Sequence, residues 1–332
     1  MASAPSAAGE DSLIARYFRP IATNPGAFNL DDDAAALKPS GDDIVVTTDA
    51  IVEGVHFLPD DPPDTIARKA LRANLSDLAA KGAVPAGFVL TLALRNADEA
   101  WLKPFAAALG EDATQFGCPL LGGDTVSTPG PLMISITAFG RVPPGKMVHR
   151  SGAKPGDRVM VTGTIGDAAL GLAVLRGGKV HAAAGDAAAR EFLTSRYRVP
   201  QPRVALAEII REYASAAMDV SDGLAGDLAK MLRVSNVAGH VDLARMPYSP
   251  AALEAIALAP ALRDVALTGG DDYEILCTVA PQNADQFEKA ARTAGIVATR
   301  IGEVTAGPPE LPQFIESDGT VRTFAKGSYS HF

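Results

Sequence analysis

Aspartate is the residue that calls for a chemical explanation in this chain, because it recurs at strand ends and after glycine pairs. Asp31-Asp32-Asp33 precedes an alanine-rich stretch, Thr47-Thr48-Asp49 closes a β-branched apolar run, and Asp77 interrupts an apolar helical stripe beside Asn74 and Ser76. Asp124 follows Gly122-Gly123, Asp219-Val220-Ser221-Asp222-Gly223 joins a strand pattern to a helix pattern, and Asp271-Asp272 follows Gly269-Gly270. Taken singly, each cluster is what a turn or a cap uses, since aspartate and glycine are ordinary turn residues. Taken together, they put carboxylates at the ends of several strands, where open α/β sheets gather their ligands. Carboxylates drawn into one crevice repel one another unless cations hold them. Hard oxygen donors select Mg²⁺, which binds through a few carboxylates plus substrate phosphates. The chemistry in view is metal-assisted phosphoryl transfer. The usual phosphate cradles are missing, with neither a G-x-x-x-x-G-K-[ST] loop nor the protein-kinase motif set. Gly163-Thr164-Ile165-Gly166, after a strand pattern, reads equally as a phosphate contact and as a plain tight turn.

The elements that must position these residues alternate between the two periodicities. Strand patterns run over 44–48, 88–94, 132–139, 157–162, 216–219, 265–267, 275–279 and 299–304. Helix patterns run over 65–81, 98–116 and 167–175, and a further one ends at Arg233 with Ser221 as its expected cap. Asp318-Gly319 predicts a hairpin, and 177–190 reads as a loop or loose helix. The turn formers between Pro143 and Gly156 mark a domain boundary, giving a tail over 1–10 and domains over 11–150 and 151–332. A length of 332 residues suits two cores. With 47% hydrophobic and 21% charged residues the composition is that of a globular protein.

Net charge and apolar runs exclude other classes. A net charge of −9 argues against nucleic acid, whose phosphates demand clustered Lys and Arg. No apolar run reaches the ~20 residues that span a bilayer. Cys118 and Cys277 form neither a disulfide framework nor a metal spacing, so a reducing cytoplasm is the expected location.

In chain order these clusters resemble the thiamine-monophosphate kinases, members of the superfamily that includes aminoimidazole ribonucleotide synthetase. The resemblance rests on Thr48-Asp-Ala-Ile-Val-Glu-Gly-Val-His-Phe57, Asn74-Leu-Ser-Asp-Leu-Ala-Ala80, Leu121-Gly-Gly-Asp-Thr125 and Arg150-Ser-Gly-Ala-Lys-Pro-Gly-Asp157. It continues through Val161-Thr-Gly-Thr-Ile-Gly-Asp167, Asp219-Val-Ser-Asp-Gly-Leu224, Gly269-Gly-Asp-Asp-Tyr-Glu274 and the terminal His331-Phe332. It implies a two-domain α/β (α+β) fold, with an N-terminal sheet that pairs with its twin in a homodimer barrel and a C-terminal α/β domain. It also implies an ATP-dependent kinase acting on thiamine monophosphate, with several Mg²⁺ ions.

By position, the family pattern assigns metal binding to Asp33, Thr47, Thr48, Asp49, Asp77, Asp124, Asp219 and Asp222. It assigns nucleotide contacts to Gly123, Asp124, Arg150 and Ser221, and thiamine phosphate contacts to His56, Asp271 and Tyr329. Three segments depart from it. Asn29-Leu30-Asp31 replaces a Gly-Ile-Gly, so a different local turn is expected before Asp33. Val126-Ser-Thr-Pro-Gly-Pro131 lacks the family's arginine, and Asp271 stands where Glu is common. A selenophosphate synthetase would carry a reactive cysteine near its start, and none precedes Cys118. Another superfamily enzyme, such as aminoimidazole ribonucleotide synthetase, stays open as the alternative at this point.

Overall fold

The computed structural model describes residues 10–32, 34–177 and 185–324. The chain divides into two compact units, Met1–Leu78 with Val84–Pro144 and Ala79–Ala83 with Gly145–Phe332. The first contains β1 (Asp43–Val52), α1 (Pro63–Ala80, whose last two residues belong to the second unit), β2 (Val84–Leu94), α2 (Glu99–Gln115), β3 (Leu120–Ser127) and β4 (Met133–Val142). Among the described residues its strands form one sheet in the order β1-β4-β2-β3, antiparallel except for the parallel β2–β3 pair.

Alternation along β1 shows why that sheet is two-faced. Val45 and Ile51 are buried, whereas Val46 between them is 56% exposed. The buried face packs apolar side chains such as Ile134, Ile136, Phe88 and Leu92, while α1 buries Leu71, Leu75 and Leu78 and α2 buries Leu102, Phe105 and Leu109. Charge fastens the two helices. Asp112 of α2 is fully buried and accepts a forked pair of hydrogen bonds from Arg72 of α1, Nε at 2.6 Å and NH2 at 2.9 Å. Arg68, one turn earlier, donates to the same carboxylate and to Glu111.

The second unit holds β5 (Arg158–Thr162), α3 (Asp167–Leu175), α4 (Ala187–Arg198), α5 (Ala207–Tyr213), β6 (Ala214–Asp219), α6 (Leu224–Ser235) and β7 (Ala238–Asp242). It continues with α7 (Pro250–Leu258), α8 (Leu262–Thr268), β8 (Ile275–Val279), α9 (Ala284–Thr293), β9 (Ala298–Thr305), β10 (Gln313–Ile315) and β11 (Val321–Arg322). Among the described residues the strands form a mixed sheet in the order β11-β10-β7-β9-β5-β8-β6. Both faces are covered: Val159 and Val161 of β5 enter one core with Leu228 and Leu232, and Met160 between them enters the other with Cys277 and Phe287. That explains an unbroken apolar strand with no polar alternation.

Two local expectations are corrected. Residues 265–267 lie in α8, not in a strand: a three-residue apolar run cannot reveal its period, and Leu262 and Ala266 bury one helical face. Ser221 does not cap α6, which starts after Gly223 with no side-chain cap. The Asp318-Gly319 hairpin is present, joining β10 to antiparallel β11 with Gly319 at φ +83°. Within 177–190, residues 178–184 lie outside the described residues, and α4 begins at Ala187. Among the described residues no helix is long and apolar enough to cross a membrane.

Removing the Asp112 carboxylate takes from Arg72, which is only 5% exposed, its forked carboxylate partner, and takes the same carboxylate from Arg68. Asp112→Ala is expected to lower unfolding free energy by about 3–5 kcal/mol, read from urea denaturation.

Candidate functional site

In the first unit, strand alternation and register decide where the predicted ligands point. Thr47 and Asp49 lie on the same face of β1 as buried Val45 and Ile51, and the Thr47 hydroxyl donates to Asp77 Oδ2 of α1 at 2.5 Å. Thr48 projects from the opposite face, where its Oγ1 accepts from Thr137 Oγ1 at 3.0 Å. Asp124 lies on that opposite face too, in a cross-sheet row with Ala50, Ser135 and Thr91. Gly123 is fixed by packing, since a Cβ there would sit 2.0 Å from Leu90 O. A cavity of about 370 Å³ adjoins this edge strand, lined by Gly122, Gly123, Asp124, Asp32, Phe18 and Leu90 among others.

The turn before the acidic run is unusual. Phe28, Asn29 and Leu30 hold φ of +48°, +57° and +58°, the left-handed region that favours glycine. Side chains occupy a turn that suits a glycine-containing segment, at a cost of roughly 1–2 kcal/mol per strained residue. Arg19 steadies it, donating to Asn29 O at 2.9 Å and to Asp31. Asp33 lies outside the described residues.

His56 follows β1 and is half-buried. Its Nδ1 accepts the Val52 backbone N–H at 3.0 Å, which selects the neutral tautomer with the proton on Nε2. Lys69, buried in α1, donates to the His56 carbonyl at 2.8 Å and fixes the segment.

In the second unit, two loops are laced together by their backbones. Asp271 N–H donates to Ser221 O at 2.9 Å, Tyr273 N–H to Val220 O at 2.8 Å, and Val220 N–H to Glu274 O at 2.8 Å. Gly270 permits this approach, because a Cβ there would meet Ser221 O at 2.2 Å. Asp271 and Tyr273 take φ of +73° and +51°, so the loop kinks at alternate residues. The lacing brings predicted Ser221, Asp222 and Asp271 into one neighbourhood at the end of β6, where Asp219 is buried. Arg150 is exposed on a loop that runs beside β6: His149 O accepts from Ala217 N–H at 2.9 Å, and Ser235 Oγ holds Gly152 and Ala153. Tyr329 and the terminal His331-Phe332 lie outside the described residues.

Several residues of this site escaped the sequence reading. Asp272 is buried and caps α3, accepting from Gly166 N–H at 2.7 Å and Ala168 N–H at 3.3 Å. The helix N-terminus beside Gly163–Gly166 is therefore filled by a side chain of the protein, and the tight-turn reading of those glycines prevails over the phosphate-contact one. Glu274 is buried among Arg196 at 2.8 Å, Arg203 Nε at 2.6 Å and Thr162 Oγ1 at 2.7 Å. Asp227 Oδ2 accepts the backbone N–H groups of Ser221 at 3.1 Å and Asp222 at 3.0 Å, and Lys230 bridges Asp227 and Asp222. Burial raises the Asp227 carboxyl above its ordinary range despite the Lys230 ammonium. Burial also opposes the Lys230 charge, yet hydrogen bonds to Asp222 and Asp227 prevail and raise its pKa. The available signal was the Asp227–Lys230 spacing, which places the pair on one helical face.

Among the described residues no three His, Cys, Asp or Glu side chains form a ready-made metal cage. The donor set nonetheless suits Mg²⁺ in kind, offering carboxylate and hydroxyl oxygens, and Mg²⁺ usually takes one or two carboxylates with phosphates and water. A second observation agrees. Asn74, fully buried one turn before Asp77, donates Nδ2 to Ala70 O at 3.1 Å, while its Oδ1 has no partner among the described residues. Thr47, Asp49 and Asp77 on one face, Thr48 and Asp124 on the other, and Asp219 with Asp222 in the second unit are the residues that can hold such an ion.

Comparison with known proteins defines the class. Residues 31–142 match the AIR synthase related protein N-terminal domain, and residues 154–311 match the corresponding C-terminal domain. Thiamine-monophosphate kinase of Caulobacter vibrioides is 47% identical over 314 residues, covering 92% of this chain and 87% of that protein. A crystal structure of thiamine-monophosphate kinase from Stenotrophomonas maltophilia K279a superposes with a TM-score of 0.80 at 40% identity, over 88% of this chain and 91% of that one. A structure of AaThiL complexed with AMPPCP and TMP has a TM-score of 0.76 at 26% identity and covers all of both chains. The chain belongs to the thiamine-monophosphate kinase family.

The buried carboxylates have a consequence for pH. Burial, with Asp167 nearby, pushes Asp272 well above the ordinary carboxylate range despite two backbone donors. The native state then binds more protons than the unfolded chain as pH rises above about 4, so stability falls through that window towards the native pKa. Asp272→Asn is expected to give a shallower decline between pH 4 and neutrality, read from urea unfolding at a series of pH values.

Proposed function

We propose that the chain transfers the γ-phosphoryl group of ATP to thiamine monophosphate, forming thiamine diphosphate and ADP. The observation that carries this reading is the near-full-length likeness to curated thiamine-monophosphate kinases, 47% identical to one over 92% of this chain. It is supported by the AaThiL structure complexed with AMPPCP, an ATP analogue, and TMP. The AIR synthase related models that match residues 31–142 and 154–311 support the shared domain architecture, and the near-full-length likeness to the kinases favours the kinase reading over an aminoimidazole ribonucleotide synthetase activity.

The acceptor is a phosphate monoester whose second pKa is about 6, so at neutral pH its oxygen is already mostly deprotonated. That oxygen attacks the γ-phosphorus, the bond to the β–γ bridging oxygen breaks, and ADP leaves with the electron pair. No general base is required. The obstacle is repulsion between two anions, about 4 kcal/mol per pair of unit charges at ~4 Å and an effective dielectric near 20. When bound, Mg²⁺ supplies charge neutralisation between the two phosphate groups.

The residues share the remaining work. Asp33, Thr47, Thr48, Asp49, Asp77, Asp124, Asp219 and Asp222 hold the metal ions. Gly123, Asp124, Arg150 and Ser221 bind the nucleotide, Arg150 by its charge and Gly123 through backbone. His56, Asp271 and Tyr329 bind thiamine monophosphate. His56 offers Nε2–H as a donor, Asp271 supplies a charge partner for the cationic thiazolium, and Tyr329 a cation–π contact. Residues 11–150 form the ATP- and metal-binding domain, and residues 151–332 the partner domain. A homodimer forms through the outer face of the first unit's sheet, supported by exposed Val46 and half-exposed Phe139, its cross-strand neighbour. The enzyme works in the cytoplasm, a location that suits the free, buried Cys118 and Cys277.

Incubating the protein with ATP, Mg²⁺ and thiamine monophosphate should yield thiamine diphosphate on chromatography. Asp77→Asn and Asp222→Asn should each cut turnover by at least a hundredfold, with unchanged far-ultraviolet circular dichroism. Full activity in both variants would remove the metal assignment.

A further inference from the structure

Lys230 sits in the second turn of α6 and its ammonium bridges two carboxylates of unequal freedom. Asp227 is fully buried, accepts two backbone N–H groups of the preceding loop, and receives Lys230 at 2.9 Å. Asp222 keeps 36% of its side chain exposed, and Lys230 keeps 29% of its own. One end of the bridge is thus anchored and the other is soft.

We propose that Lys230 is a positioning residue that orients the Asp222 carboxylate and yields it when a divalent cation arrives. The inference rests on the reading above that Asp222 binds such a cation. A dication at Asp222 repels the ammonium, but Lys230 need not leave for water, because Asp227 remains as its anionic partner. Lysine suits this exchange: its compact charge sits on a flexible stem, whereas the planar fork of arginine would clamp a carboxylate. Lys230 holds the Asp222 carboxylate aimed, and in doing so competes with the metal. The competition makes metal binding at Asp222 weak until phosphates join the site, which favours arrival of metal and nucleotide together.

The test is a Mn²⁺ titration of the nucleotide-free protein, following free Mn²⁺ by electron paramagnetic resonance. Lys230→Gln removes the charge and keeps a donor, and should tighten binding by roughly three- to tenfold. Lys230→Arg keeps the charge and should bind no tighter than the parent. Asp222→Asn should weaken binding, and adding it to Lys230→Gln should abolish the tightening. Structural damage would weaken binding, so tightening separates the proposal from a purely structural role; Lys230→Met serves as a second neutral variant if the amide disturbs the fold. Unchanged or weaker binding in both neutral variants, with Asp222→Asn still weakened, overturns the role of Lys230 alone. Unaltered Mn²⁺ binding in Asp222→Asn overturns the metal role of Asp222, and the inference with it.

Discussion

A carboxylate taken out of water must be met by donors, and in the second unit that requirement shapes the loops around the predicted site. Asp272 is satisfied by the first N–H groups of α3, Glu274 by two arginines and a threonine, and Asp227 by the N–H groups of Ser221 and Asp222. Asp272 and Asp227 therefore each fix a stretch of backbone, while Glu274 gathers side chains from β5, α4 and the segment after it. The neighbours left nearer to solvent, Asp271 and Asp222, are carried on that backbone and inherit its rigidity. Adjacent acidic residues thus divide the work by burial: those inside hold the loop, and those nearer solvent are the ones predicted to meet ligands.

The first unit achieves the same end with strand geometry. A period of two sends Thr47 and Asp49 towards the helices and Thr48 away from them, so consecutive residues of one motif serve opposite faces of one sheet. The hydrogen bond from Thr47 to Asp77 ties the strand to α1, and the forked Arg72–Asp112 pair ties α1 to α2. Before the acidic run, Phe28, Asn29 and Leu30 hold the left-handed region without a glycine among them, while Asp31 returns to φ −100° and is braced by Arg19.

Much of this was legible in the sequence because it is local. The patterns over 88–94, 157–162, 216–219 and 275–279 ended where strands end, whereas the run over 44–48 continues as β1 to Val52 and places Asp49 inside the strand. The glycine pairs marked close backbone approach at Gly123 and Gly270, and the α/β alternation followed from periodicity. What escaped depends on distant partners. Nothing near Glu274 announces Arg203, 71 residues away, or Arg196, 78 away. Nothing in Asp271-Asp272 says which of the two is buried, since that is decided by the end of α3 coming to meet it. The same holds for 265–267, whose helical period shows only once Leu262 and Ala266 are seen to face a core.

One carboxylate predicted to bind metal in each unit is already engaged by a proton-rich partner, Asp77 by the Thr47 hydroxyl and Asp222 by the Lys230 ammonium. Such partners solve a problem inherent in metal-assisted phosphoryl transfer by an acidic protein. Without a cation, clustered carboxylates repel one another, raise their own proton affinity and swing towards water. A hydroxyl or ammonium holds the oxygen at a defined place, yet binds it less strongly than a dication does. The geometry needed for catalysis can then exist before the substrates bring their charge, and the partners are weak enough to be exchanged when they do. Preorganisation of this kind is valuable only if the supporting loops are stiff, which returns the burden to the buried carboxylates that hold them.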